Sequence, residues 1–152
     1  MNKEEELIIK TTGCTAINIG KMNDLKDHFI IHPVSQRKVE GKVFLKDKTD
    51  ATGTEISFNT IPPQTEVPYF HTHWENEETY IILKGAGDFQ VNDDSFPIQE
   101  GSVIRVATRA TRGLRNTSDE AMIYMVVQSK ENSLGNYSSD DGERTEFNPK
   151  WE

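Results

Sequence analysis

The feature that most constrains this chain is the rhythm of its turns. From Val39 to Gln128, short alternating or apolar runs are cut every few residues by turn-forming groups, with almost no helical periodicity between them. Thr54 to Ile61 alternates cleanly, with Ile56 and Phe58 on one face and Ser57 and Asn59 on the other. Ile61-Pro62-Pro63-Gln64 breaks that run. Asp88 to Val91 reads as a short strand, Asn92 to Ser95 as a hairpin turn, and Glu100-Gly101 as another turn. Ser102 to Val106 is a strand, Ala107 to Gly113 a basic loop, and Arg115 to Glu120 a turn. Ala121 to Gln128 is apolar on both faces, the signature of an interior strand. Strands at this spacing imply an all-β sandwich or barrel.

The barrel is expected to occupy residues 39–130, in one domain of a chain of 152. Residues 1–38 form an N-terminal extension with an edge strand expected within Thr11 to Gly20. In it, Asn23 to Asp27 makes at most one helical turn, and Pro33 ends the run Phe29-Ile30-Ile31. His28 and His32 flank that run and read as surface or loop histidines. Residues 131–152 are a polar tail, in which Trp151 is the group suited to docking it, on this barrel or on a second subunit. The formal charge of −8 argues against nucleic acid and anionic membranes as partners. Cys14 is the one cysteine, so no intrachain disulfide forms; together with a charged, leaderless start this fits a cytoplasmic protein.

Chemistry concentrates between Tyr69 and Gly85. His71 and His73 would point the same way from an extended segment, and Glu77 and Glu78 follow closely. If the chain turns and returns as a second strand, a carboxylate comes back beside both imidazoles. Two imidazoles and one carboxylate are a common ligand set for a divalent metal. The plainer alternative is a pair of exposed histidines beside Trp74. Tyr69 shares the histidines' face, and Tyr80 and Ile82 share that of Glu78, so both tyrosines are candidates to line a pocket or simply to fill a core.

The order His71-x-His73, four residues, Glu78, six residues, Gly85 resembles the first motif of the cupins, small double-stranded β-helix (jelly-roll) barrels. Glu77 fits the shorter variant of that spacing. Gly101 and Asn116 match the two ends of the second cupin motif, in which Ala107 stands at the proline, Arg109 at the glycine and Arg112 at the histidine. The resemblance implies a barrel-interior site in which His71, His73 and Glu78 hold a transition metal, one of iron, manganese, nickel, copper or zinc. It also implies a homodimer. Arg112 has no lone pair to give a metal. It would hold a small anionic organic ligand against the metal, pair with Glu78 in a metal-free pocket, or point outward into solvent. The first case is a metal-dependent oxygenase or isomerase, with Arg112, Tyr69 and Tyr80 contacting substrate. The second is a non-catalytic binding or sensing module.

Overall fold

The structure, a computed structural model describing residues 1–151, is built almost entirely of strands. In chain order these are β1 (Glu6–Lys10), β2 (Thr15–Asn18), β3 (Phe29–Ile31), β4 (Lys38–Glu40), β5 (Lys42–Phe44), β6 (Glu55–Ile61) and β7 (Thr65–Glu66). They continue as β8 (Asn76–Lys84), β9 (Ala86–Val91), β10 (Asp94–Gln99), β11 (Val103–Val106), β12 (Arg112–Asn116) and β13 (Met122–Lys130). One sheet has five strands in the order β11-β8-β13-β6-β5, and a second has four in the order β10-β9-β12-β7. Every pairing in both is antiparallel. The chain crosses from the larger sheet to the smaller and back as it passes from β6 through β9, and again from β11 through β13. That winding is a double-stranded β-helix.

Side-chain alternation then fixes two cores. Between the sheets lie Tyr80, Ile82, Val106, Met122, Tyr124 and Val126 from the larger sheet and Phe89, Ile98 and Leu114 from the smaller. Burying a side chain such as Phe89 or Ile82 contributes roughly 1.5–3 kcal/mol. A second core of Ile19, Leu25, Val43 and Ile123 covers the outer face of the larger sheet. Phe58 packs in that outer core, so it is Ser57 and Asn59 that face the barrel interior, where the Asn59 amide donates to Ser57 Oγ at 3.0 Å. The interior strand expected over Ala121 to Gln128 is β13, held between β8 and β6.

The N-terminal residues are more than an extension. The apolar patch Leu7-Ile8-Ile9 is part of β1, which pairs with the edge strand β2. Ile17, Ile19, Met22 and Leu25 supply the outer core. His28, expected at the surface, is buried instead, with Nε2 2.9 Å from the Ile19 carbonyl and Nδ1 3.9 Å from Glu5. The covering segment removes it from water. Residues Phe29–Ile31 do form a strand before Pro33, paired with β4. The turn expected over Arg115 to Glu120 begins too early, since Arg115 and Asn116 belong to β12. Trp151 is 84% exposed and is not docked on this barrel.

Two glycines are required by the backbone. Gly85, between β8 and β9, has φ +92°, and a Cβ there would sit 3.0 Å from Met122 Cα. Gly41, between β4 and β5, has φ +71°, and its Cβ would meet Thr60 at 2.7 Å. Gly41 separates β4 from β5 and lets β5 enter the larger sheet.

Candidate metal centre

His71 lies in the extended segment after β7 and is held by a reciprocal backbone pair with Arg112, N–H to O at 3.2 and 3.0 Å. The His73 carbonyl accepts the Arg109 N–H at 2.7 Å. β8 then brings Glu78 back beneath both rings. His73 Nε2 stands 3.1 Å from Glu78 Oε1, and His71 Nε2 3.5 Å from Oε2. The two rings meet edge to face, centroids 5.1 Å apart. Glu77 points the other way and pairs with Arg105 at 2.6 Å, so Glu78 is the inward carboxylate.

Tyr80 donates its hydroxyl to Glu78 Oε2 at 2.8 Å. Arg112 is wholly buried, so the outward, solvated orientation does not occur. Its Nη1 donates to the His71 carbonyl at 3.1 Å and its Nε lies 3.4 Å from Glu78 Oε2. Nε and Nη2 have no hydrogen-bond partner. Tyr69 is 47% exposed, its ring 6.0 Å from that of His71. All six residues line one cavity of about 330 Å³.

The cavity also takes in residues that the sequence did not single out. Gln128, opposite Glu78 in the β8–β13 register, donates to Glu78 Oε1 at 3.3 Å, its amide nitrogen 3.2 Å from His73 Nε2. Extending the face of Met122, Tyr124 and Val126 by one step would have found it. Lys42 lines the cavity from β5. His32 stands at its edge, in the β3–β4 loop, where Nδ1 accepts the Ser35 N–H at 3.1 Å.

Burial would raise the Glu78 pKa, but contacts from His71 and Tyr80, and the charges of His73 and Arg112, outweigh it and bring the pKa down to about 2. The 3.5 Å approach of His71 is long for a hydrogen bond, so the Tyr80 hydroxyl is the firmer partner. Burial lowers the His73 pKa, helped by His71 and Arg112 and opposed by Glu78; a neutral ring has a lone pair for a metal. Burial raises the Tyr80 pKa, and the Glu78 charge raises it further, so Tyr80 acts as a proton donor in a hydrogen bond and not as a base at neutral pH. Burial pulls the Lys42 pKa down, with Glu78 and Glu55 opposing.

One ligand atom from each of His71, His73 and Glu78 lies within 4.8 Å of the others. Separations of 3.1 and 3.5 Å from carboxylate to imidazole are those of atoms sharing a metal at about 2.1 Å. The donor set therefore fits a divalent transition metal, with Arg112 against the same carboxylate as a cation and not as a ligand.

Fold and site together define a double-stranded β-helix barrel with a two-histidine, one-carboxylate cluster in its mouth. The cupin-domain family pattern matches residues 57–128. A crystal structure of a cupin protein from Bacteroides fragilis is 34% identical over 68% of this chain and 88% of that one, with a TM-score of 0.66. This chain belongs to the cupin family. A predicted oxalate decarboxylase from Thermotoga maritima is similar at 25% identity over 62% of this chain and 83% of that one, TM-score 0.54. A proposed sugar phosphate isomerase from Acidithiobacillus ferrooxidans shares the fold at 23% identity, covering 59% of this chain and 58% of that one, TM-score 0.52. No curated protein matches the chain. No helix among the described residues is long and apolar enough to cross a membrane.

Proposed function

We propose that this chain is a small metal-dependent cupin enzyme, an oxygenase or isomerase acting on a small organic acid or acidic sugar derivative. The observation that carries the reading is the convergence of His71, His73 and Glu78 within 4.8 Å at the wall of a ligand-sized cavity. His71, His73 and Glu78 would hold the metal, one of iron, manganese, nickel, copper or zinc, which would supply Lewis acidity. The protein's own groups do the rest. Arg112 holds Glu78 in place, and its buried charge favours an anion in the cavity. Tyr80 donates to the carboxylate oxygen that Arg112 approaches, Oε2, and Tyr69 lies at the opening beside His71. The working form is a cytoplasmic homodimer. Support for pairing comes from β1, exposed along its length, and from apolar tail groups such as Trp151 that rest on nothing in this chain.

A second reading is favoured by the 3.4 Å approach of Arg112 to Glu78: a metal-free pocket in which that ion pair replaces the metal and the protein binds or senses a small molecule. Elemental analysis of protein purified without chelator, wild type beside His71→Ala, separates the two. The metalloenzyme reading expects near-stoichiometric metal that the variant loses. No metal in either protein, and none taken up on addition, overturns it and leaves the ion-paired pocket.

A further inference from the structure

Lys42 is the cavity residue for which the metal site has no use. It pairs in register with Asn59 of β6, so its side chain shares the inward face with Asn59 and Ser57. Its ammonium lies 4.7 Å from the centroid of the Phe44 ring. Lys3, Lys10, Lys38, Lys46, Lys48 and Lys84 pair with carboxylates, and Lys21, Lys26, Lys130 and Lys150 are exposed to solvent. Lys42 has no such partner among the described residues. The two carboxylates on the cavity wall are otherwise engaged: Glu55 accepts the backbone N–H groups of Leu45 and Lys46, both at 3.0 Å, and Glu78 takes Tyr80 and Gln128. A half-buried cation without a counter-charge is costly unless an anion joins it.

The charges on the wall, Arg112 and Lys42 against Glu55 and Glu78, balance. A divalent metal adds two positive charges, which a dianion offsets. We propose that the ligand is a small dianionic acid spanning the cavity, one acid group at the metal end, in the field of buried Arg112, and the other on Lys42. The first end rests on the function proposed above, whereas the Lys42 end rests on the placement of that side chain alone. A cavity of about 330 Å³ keeps the acid short.

Calorimetric titration tests this with malonate and succinate against the length-matched propionate and butyrate. Wild type, Lys42→Gln and Lys42→Arg are compared, with metal content measured on every sample. A charge-assisted contact predicts that wild type prefers each dicarboxylate by about tenfold or more. Lys42→Gln loses that preference while Lys42→Arg keeps it. A wild type without the preference, a preference unchanged in Lys42→Gln, or no binding of any of the four acids overturns the proposal. Metal-free samples that still show a Lys42-dependent preference would count against the metal and leave the Lys42 assignment standing. Metal-loaded samples without it would do the reverse.

Discussion

Replacing Glu78 by Gln tests how the centre is held when no metal occupies it. The side chain is 8% exposed, so its interactions are little screened by solvent. Its pKa falls from an ordinary 4.5 to about 2, burial opposing and His71, Tyr80, His73 and Arg112 prevailing. At about 1.4 kcal/mol per pKa unit this is worth roughly 3 kcal/mol of stability. Because the folded pKa is depressed, that stability is fully present above the unfolded pKa and is lost as pH falls through the folded one. The expected difference between wild type and Glu78→Gln in chelator-treated protein is therefore roughly 3 kcal/mol at pH 7 and roughly 1.4 at pH 3. The attraction of buried Arg112 is already contained in these figures. For a domain of this size the neutral-pH loss lowers the melting temperature by roughly 6–12 °C. Urea unfolding at both pH values measures it. Equal stability at pH 7, or a difference that does not shrink on acidification, would refute the picture of Glu78 as a strongly stabilised buried anion.

Asn116→Ala should destabilise the barrel by roughly 2–4 kcal/mol in the same unfolding assay, since one buried amide serves several backbone groups. Its Nδ2 donates to the carbonyls of Ile61, Pro62 and Glu120 at 3.3, 3.0 and 2.7 Å, and its Oδ1 accepts the Ser118 N–H at 2.9 Å. The proposed dimer predicts twice the chain mass by sedimentation at micromolar concentration, and a monomeric mass there would rule it out.

The sheet structure was legible where burial writes a pattern. β13 is apolar on both faces because it is central, with one face in the barrel core and the other under the N-terminal cover. β12 was hard to read because its interior ends are polar: Arg112 and Asn116 are wholly buried yet have the composition of a loop. Their partners come from the extended segment at His71 and from the turns at Pro62 and Glu120, which no local window contains. His28 was misplaced for the same reason, since its burial depends on Ile19 and Leu25 folding over the sheet.

The site divides along the same line. His71, His73 and Glu78 are close in sequence; alternation puts the two histidines on one face, and the cupin-like gap to Gly85 favours Glu78 over Glu77. Lys42 and Gln128 come from other strands, and a three-residue β5 is too short to show its face by pattern. What places them is register. Along β8 and β13 the inward pairs run Glu78–Gln128, Tyr80–Val126 and Ile82–Tyr124, from polar to apolar. The carboxylate can stay ionised only at the polar end, where the histidines and the cavity meet it, while Ile82 and Met122 close the other end. A slip of one residue between these strands would turn Glu78, Tyr80 and Ile82 outward and bring Glu77, Thr79 and Ile81 inside. The same hydrogen-bond register that builds the core therefore decides which carboxylate meets the histidines.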